Sequence, residues 1–201
     1  MSSSVLLLYF HAAAEFSKAN HGLISALGHQ EHLLVRDMYA EYPRFSIDID
    51  KEQSLLATHD TIVLQFPMFW YSSPALLKEW QDLVLEYGFA YGDGGTALQG
   101  KRLQLVVTTG SPAEAYTAEG EKGYTLREFL RPFEAMAKLC HLDYHAPLAM
   151  HGARDAADNG QQAVWNQAYQ KLIAALIAGR YPQSLAKRTD VVTPEQLLEV
   201  L

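Results

Sequence analysis

Three short stretches of this sequence bring together side chains that can hold a small ligand. The first, HAAAEFSKAN, ends where a helical pattern begins, so free backbone N–H groups and the helix dipole favour an anion there. The alternative is that its serine only caps the helix. The side chains that would add hydrogen-bond donors for one phosphate are His11, Ser17, Lys18 and Asn20.

The second stretch, PMFWY, is a turn made of large apolar and aromatic side chains. Turns at strand ends are usually polar, because their backbone groups need water or caps. A planar aromatic cofactor can lie against such a turn, with backbone groups meeting its polar edge. Packing within the domain or against a second subunit is the alternative. The four side chains are Met68, Phe69, Trp70 and Tyr71.

The third stretch, TTGS, offers hydroxyl and backbone N–H groups at the end of an apolar run. Donors of this kind can bind the pyrimidine-like edge of a flavin and stabilise the negative charge of its reduced form. Tyr116 or Tyr124 would reach over the ring, or would be surface aromatics on a mobile loop. The residues of the stretch are Thr108, Thr109, Gly110 and Ser111.

Other chemistries lack their sequence patterns. Neither a P-loop nor the G-x-S-x-G elbow of hydrolases is present. The run from Gly92 to Ala97 matches G-x-G-x-x-A by letters, but it follows a helix and precedes a strand, the reverse of the order that a dinucleotide site requires. His141 and His145 are four residues apart across a predicted helix end, so we expect no metal site.

Composition narrows the class of protein further. The chain has 201 residues, 49% of them hydrophobic, and a formal charge of −7, which argues against nucleic acid as a partner. Cys140 is the only cysteine, so no intrachain disulfide forms, and its apolar surroundings predict a buried thiol. The N-terminal run VLLLYF is too short for a signal peptide or a membrane span, which predicts a cytoplasmic protein.

Apolar runs alternate with helical patterns along the chain, which predicts an α/β fold with a parallel sheet covered on both faces. The expected architecture is a flavodoxin-like three-layer sandwich with strand order 2-1-3-4-5. Ligands bind such sheets outside the carboxyl ends of the strands, where the three stretches would meet. The predicted strands are Val5–Phe10, His32–Met38, Thr61–Phe66, Arg102–Thr108 and Tyr144–Met150.

The predicted helices cover residues 17–27, 51–58, 74–84, 125–140 and 161–178. Pro132 either kinks the fourth of these helices or marks its start. We expect one flavin-binding domain over residues 1–180, followed by a tail over 181–201. The tail contains a short capped helix, TPEQLLEVL, whose docking the sequence leaves open.

Four longer stretches carry a resemblance to a known family. They are the H-x5-S-K-A-N pattern from His11 to Asn20, Gln65 to Lys101, Thr108 to Tyr116, and Leu130 to Gly152. Together they resemble the NAD(P)H:quinone oxidoreductases of the flavodoxin-like flavoprotein class. The resemblance is to the bacterial branch of general-stress-type NAD(P)H oxidoreductases and ancillary subunits of glutathione-gated potassium efflux systems, over roughly residues 5 to 178.

The resemblance implies bound FMN, or FAD as in some members, and a homodimer with the active site at its interface. NAD(P)H would be the electron donor and a quinone the acceptor, in two-electron, ping-pong kinetics. By position, Tyr116 would be the proton donor, and the aromatic turn and the TTGS loop would hold the flavin ring and its polar edge. The residues implied at the phosphate end are His11, Ser17, Lys18, Ala19 and Asn20.

Two other functions stay open at this point. The resembled family also contains regulatory subunits that dock on a membrane potassium efflux transporter, which would bring the protein to the inner face of the cell membrane. An electron carrier without a substrate pocket is the third alternative. The long loop from Ser111 to Tyr124 has the features of a lid rather than an open docking face, which disfavours a carrier.

Overall fold

Six strands form one parallel sheet in the computed structural model, which describes residues 2–13 and 17–201. Their order is β2-β1-β3-β4-β5, and β6 continues the fifth position by pairing with β4. This order confirms the flavodoxin-like arrangement expected from the sequence. The strands are β1 (Val5–Tyr9), β2 (Leu33–Asp37), β3 (Thr61–Pro67), β4 (Arg102–Thr109), β5 (Asp143–Tyr144) and β6 (Leu148–His151).

Helices cover both faces of the sheet, because the strand side chains alternate between two cores. Leu6 and Leu8 of β1 belong to one buried cluster, whereas Leu7 belongs to the other. The helices are α1 (Lys18–Leu27), α2 (Met38–Glu41), α3 (Ile49–Thr58), α4 (Ala75–Val84), α5 (Leu126–Phe129), α6 (Arg131–Leu139), α7 (Gln161–Ile177), α8 (Gln183–Ala186) and α9 (Pro194–Val200). A short 3-10 turn, Ala113–Ala115, follows β4.

The single fifth strand predicted over Tyr144–Met150 is wrong in one respect, because two short strands, β5 and β6, occupy that position. Pro147 lies between them and has no N–H to donate to a ladder. The C-terminal tail pairs with this edge instead. Ala146 N–H donates to the Ala186 carbonyl at 2.8 Å, and Val192 N–H donates to the Pro147 carbonyl at 2.8 Å.

The helix predicted over residues 125–140 is divided into α5 and α6 at Leu130. Pro132 lies in the first turn of α6, where its missing N–H costs nothing. Of the two readings left open, Pro132 therefore marks the start of a helix. The thiol of Cys140 is buried, as predicted.

The C-terminal tail packs against the rest of the fold. Val192 and Leu197 are fully buried in the cluster that contains α1 and α7. Thr193 begins α9 with a capping box, in which its hydroxyl accepts from Gln196 N–H and the Gln196 side chain accepts from Thr193 N–H. The docking of this segment, which the sequence left open, is thus fixed by apolar burial.

Candidate functional site

A cavity of about 630 Å³ opens at the carboxyl ends of β1, β3 and β4. All three stretches singled out in the sequence contribute to its wall, as parallel strands with a switch point between β1 and β3 require. The predicted residues that line it are His11, Ser17, Lys18, Ala19, Asn20, Met68, Phe69, Trp70, Tyr71, Thr108, Gly110, Ser111 and Tyr116.

The first loop reaches the cavity at the start of α1. Ser17 is the N-cap of this helix, and its hydroxyl oxygen accepts from Asn20 N–H at 3.2 Å. The capping role and the position in the cavity wall therefore belong to the same side chain. Residues 14–16 of the predicted loop lie outside the described residues.

His11 is buried beside this helix start and is held in one tautomer. Its Nδ1 accepts from Ala13 N–H at 3.1 Å, so the ring proton of the neutral form is on Nε2. Burial lowers the pKa of His11, and the charge of Asp37 only partly opposes this shift. The ring also meets Phe69 edge-on, with the two centroids 5.6 Å apart. His11 is therefore a neutral N–H donor at the cavity wall.

A chain of buried hydrogen bonds lies beneath the cavity floor. Tyr169 OH donates to Gln65 Oε1 at 2.7 Å, and Gln65 Nε2 donates to Asn20 Oδ1 at 3.3 Å. Asn20 Nδ2 then donates to Thr108 Oγ1 at 2.9 Å and to Ser17 Oγ at 3.3 Å. Both hydroxyl oxygens thus act as acceptors toward Asn20. Their own hydrogens are left to donate in other directions, and both residues line the cavity.

The aromatic turn is tight and strained. Phe69 and Ser72 exchange two backbone hydrogen bonds of 2.9 Å, and the residues between them, Trp70 and Tyr71, have φ angles of 49° and 62°. Two positive φ values define a type I′ turn, which usually contains Gly or Asn. Side chains with a Cβ pay a steric penalty in this region, and such outliers concentrate at functional sites. Trp70 is also 93% exposed.

The third loop contains the one predicted residue that does not line the cavity. Thr109 directs its hydroxyl to the Ser111 carbonyl at 2.8 Å and lies 3.0 Å from His151 Nδ1. Successive residues of a strand face opposite sides, so Thr108 and Thr109 cannot both face the cavity. The Thr109 side chain instead fixes the loop, and its assignment to the cofactor-binding residues stays a prediction.

Tyr116 enters the cavity from the loop after the 3-10 turn. Its ring lies between Phe129, at 6.2 Å, and His151, at 5.5 Å between centroids. Burial raises the pKa of the Tyr116 hydroxyl, although the nearby positive charge of Lys122 opposes the shift. The hydroxyl is therefore protonated at neutral pH. Tyr124 lies against Phe129 from the other side and is largely exposed.

Several cavity residues were missed by reasoning from the sequence. Arg154 follows β6 and lies against Gly110, where an added Cβ would be only 3.1 Å from the Arg154 Nε atom. The same loop is tied to the third stretch, because Ala153 N–H donates to the Thr109 carbonyl at 2.8 Å. A signal was available, since this loop also follows a strand at the carboxyl edge. The missed lining residues are Ala13, Pro67, Lys122, Ala153 and Arg154.

Two kinds of feature are absent from the described residues, 2–13 and 17–201. These residues contain no group of three or more His, Cys, Asp and Glu arranged to hold a metal ion. Within the same residues, every helix is too short or too polar to cross a bilayer.

The comparison with known families agrees with this architecture. A profile of the family described as "Flavodoxin-like fold" matches residues 3–173. This chain belongs to that family. The match ends within α7, so the C-terminal tail of this flavodoxin-like protein lies beyond it.

Three relatives of this flavodoxin-like protein bear on its function. Glutathione-regulated potassium-efflux system ancillary protein KefG of Yersinia enterocolitica is 49% identical over 150 residues, which are 75% of this chain and 82% of KefG. General stress protein 14 of Treponema denticola, crystallised in complex with FMN, is 37% identical with a TM-score of 0.79, over 87% of this chain and 98% of that one. An NADPH-quinone reductase from P. pentosaceus is 32% identical with a TM-score of 0.76, over 84% of this chain and 96% of that one.

Proposed function

We propose that this protein is an FMN-dependent NAD(P)H:quinone oxidoreductase that transfers two electrons with ping-pong kinetics. The observation that carries the proposal is the joining of two features in one cavity. A helix start with hydroxyl donors oriented by Asn20 lies beside a strained, exposed aromatic turn. The first suits a phosphate and the second suits a planar ring, which are the two ends of a flavin mononucleotide.

The phosphate end would be held by the first loop and the start of α1. The N–H groups of the first helical turn and the positive end of its dipole favour an anion. The Ser17 hydroxyl hydrogen is free to donate, because its oxygen already accepts twice from Asn20. The neutral His11 adds an N–H donor without the cost of burying a charge. The remaining proposed contacts are Lys18 and Ala19.

The ring end would be held by the turn Met68–Tyr71 and by the loop that contains Thr108, Gly110 and Ser111. The Thr108 hydroxyl can donate to the polar edge of the ring for the same reason that Ser17 can donate to a phosphate. When bound, the flavin supplies the ability to accept a hydride from NAD(P)H and to return two electrons to an acceptor. FAD is the alternative cofactor, since its flavin end needs the same contacts.

Tyr116 is the proposed proton donor. Its burial keeps the hydroxyl protonated at neutral pH, so it can hydrogen-bond to, and donate a proton to, an oxygen that gains negative charge. Tyr71, which lines the cavity, stacks on Phe129 with centroids 5.2 Å apart, and Phe129 also contacts the Tyr116 ring. Because NAD(P)H and the quinone would occupy the same space in turn, we expect ping-pong kinetics.

The relatives support this function without defining the acceptor. The Treponema denticola protein binds FMN, and the P. pentosaceus protein is an NADPH-quinone reductase. The exposed aromatic side chains of the turn also support a homodimer, because a second copy would cover Trp70 and Tyr71. In this proposal the active site lies at the dimer interface.

The first test is spectroscopic. We expect purified protein to carry a flavin absorbance that bleaches when NADPH is added without oxygen and returns when a quinone is added. Tyr116→Phe should keep the flavin and lower turnover by about 100-fold, in line with the loss of a general acid. Tyr124→Phe is the matched control and should change neither. Protein that takes up neither FMN nor FAD would rule out the proposal.

A second function rests on the KefG relatives, which are named as ancillary proteins of a potassium efflux system. We propose as an alternative that this chain is a regulatory subunit of a potassium efflux antiporter and that its redox activity is secondary. It would then be a cytoplasmic protein that also associates with the inner face of the membrane. Co-purification with the antiporter from membranes would support this function. Full quinone reductase activity in a protein that never co-purifies with membranes would instead favour the enzyme function without a regulatory role.

A further inference from the structure

A second groove, of about 610 Å³, lies between α6 and the segment that follows α8. None of its described lining residues also lines the cavity. Five of them are basic and two are acidic, in a chain whose formal charge is −7. We refer to this surface as the basic groove. Its charged residues are Arg127, Arg131, Glu134, Lys138, Asp143, Lys187 and Arg188.

The two acidic side chains of the basic groove already form ion pairs with two of its basic side chains. Glu134 lies 3.3 Å from the Arg127 guanidinium, and Asp143 is paired with Lys187. Across the described parts of the chain, the other three basic groups have no ion pair. All three are exposed, and they belong to two different segments, α6 and the tail. These three groups are Arg131, Lys138 and Arg188.

Two donors in the wall of the basic groove are buried without a partner. Arg127 stacks its guanidinium on the Tyr144 ring, with 4.9 Å between the guanidinium carbon and the ring centroid. Within residues 2–13 and 17–201, neither Arg127 Nη1 nor Tyr144 OH has a hydrogen-bond partner. Because both atoms are buried, an occupant of the groove would contact the exposed cations rather than these two donors.

The C-terminal tail builds one side of the basic groove. Lys187 and Arg188 lie beyond residue 173, where the match to the family ends. The tail is held in place by the hydrogen bonds of Ala186 and Val192 to the sheet edge and by the burial of Leu185. The groove is therefore a fixed surface, and part of it comes from a segment outside the family match.

We propose that the basic groove binds an acidic segment of a partner protein. Its unpaired cations are exposed and come from two segments, which suits the spaced carboxylates of an extended polypeptide; a compact phosphate is better held by buried donors that converge. A concave surface does not lie flat on a bilayer. The charge of −7 opposes association with a long nucleic acid. Binding will weaken as salt is raised, because the cations are exposed.

The test uses the full-length protein, with its flavin if it has one, and a short fluorescein-labelled peptide rich in Glu. We expect saturable binding by fluorescence anisotropy that weakens at high salt. Reversal of three charges, in R131E/K138E/R188E, should weaken the affinity by at least about tenfold. The matched control, R44E/K171E/R180E, changes the net charge equally outside the groove and should weaken it by less than about twofold. The neutral set R131Q/K138Q/R188Q repeats the test with a smaller change in charge.

Three results would overturn the proposal. Equal weakening by the control variant would show that only net charge matters. Displacement of the peptide by inorganic phosphate at a similar concentration would make the groove a small-anion site. A third result would make the partner a membrane. The protein would co-sediment with vesicles containing phosphatidylglycerol, the groove variant would not, and neither would bind the peptide. Loss of peptide binding in the groove variants alone, with unchanged thermal unfolding, supports the proposal.

Discussion

Two hollows lie at opposite ends of the parallel sheet, one of about 600 Å³ at the amino ends of the strands and one of about 630 Å³ at the carboxyl ends. Both contain serine and lysine side chains, so neither volume nor the presence of these polar groups separates them. They differ in where the polar groups direct their hydrogen bonds.

At the amino end, the polar groups bond to one another. Asp60 accepts from Ser4 N–H at 2.8 Å, from Ser4 OH at 3.0 Å and from Ser3 OH at 3.3 Å. Lys101 donates to the backbone carbonyls of Ala57 and His59. The side chains of Asp60 and Lys101 are thus bonded within the chain, where they hold the starts of the strands together.

At the carboxyl end, a similar network leaves two hydroxyl hydrogens without an acceptor among its own members. Asn20 donates to Ser17 and Thr108, and the hydrogens of these two hydroxyls remain available to a ligand. The strained turn at Trp70 and Tyr71 adds exposed aromatic surface beside them. Oriented but unused donors and local strain therefore distinguish the carboxyl-end hollow from the amino-end hollow, whereas volume does not.

The largest expected effect comes from removing the central amide of the carboxyl-end network. Asn20→Ala should lower the free energy of unfolding by about 2–3 kcal/mol, because the buried Gln65 Nε2 and Thr108 Oγ1 each lose their hydrogen bond to the Asn20 side chain. It should also weaken FMN binding by at least about tenfold, since two hydroxyls lose their orientation. Chemical denaturation and a fluorescence titration with FMN measure the two effects.

The control for that experiment is at the other end of the sheet. Asp60→Ala should lower the free energy of unfolding by about 1–2 kcal/mol through its lost hydrogen bonds. FMN affinity should stay unchanged, because this network serves only the fold. If both variants weakened FMN binding in proportion to their loss of stability, the distinction between the two ends would fail.

A smaller effect is expected from the strained turn. Trp70→Gly and Trp70→Ala both remove the ring and should weaken FMN binding by about tenfold. Only the glycine relieves the positive φ, so Trp70→Gly should be about 0.5–1 kcal/mol more stable than Trp70→Ala. Analytical ultracentrifugation of the same variants tests the dimer. Unchanged FMN affinity with loss of the dimer would assign the turn to the subunit interface alone.

The smallest effect is a difference in the pH range over which His11 and His151, on one side, and Asp60, on the other, lose their contributions to the free energy of unfolding. Burial holds the pKa of His11 and His151 below the ordinary value of 6.5, so the unfolded chain binds more protons than the folded chain below that pH. Their contribution to the free energy of unfolding is therefore complete above pH 6.5 and decreases as the pH falls through the lowered pKa values. Denaturation curves between about pH 7.5 and 5 should show this loss, and His151→Asn should reduce it.

Asp60 should act in a lower range. The Ser4 N–H group holds the pKa of this carboxylate below its ordinary value of 3.8. Its contribution is complete above that value and is lost only as the pH falls through the lowered pKa. Asp60→Asn should thus flatten the pH dependence of the free energy of unfolding below about pH 4, and lower this free energy by a constant amount at higher pH. Its slope between about pH 7.5 and 5 should stay as in the wild type. A change of slope in that upper range would contradict its assignment to histidines rather than to Asp60.

Most of the fold could be predicted from the sequence because buried parallel strands are continuous apolar runs. The strand order followed from their number and their alternation with helices. The break in the fifth strand could not be predicted, because it depends on hydrogen bonds from Ala186 and Val192, far along the chain. The division of the helix before Cys140 could be predicted only as one of two alternatives, because Pro132 is compatible with either a kink or a helix start.

The candidate site was predictable for a similar reason, and only in part. Loops after neighbouring parallel strands must converge, which brought the three stretches together in the cavity. That the Thr109 side chain does not line the cavity could have been predicted from the alternation of side chains along β4. The presence of Arg154 was not, because it depends on how the loop after β6 folds back over Gly110.

The sequence by itself determined the features that repeat over a few residues: apolar runs, helical spacing, capping residues and the loops at strand ends. Only the tertiary structure decided the direction of the donors in the cavity, because the Asn20–Thr108 and Gln65–Tyr169 bonds join residues 88 and 104 positions apart. It also decided the strain at Trp70 and Tyr71 and the pairing of charges in the basic groove. Periodicity is local, whereas hydrogen-bond partners and unpaired charges are set by contacts between distant segments.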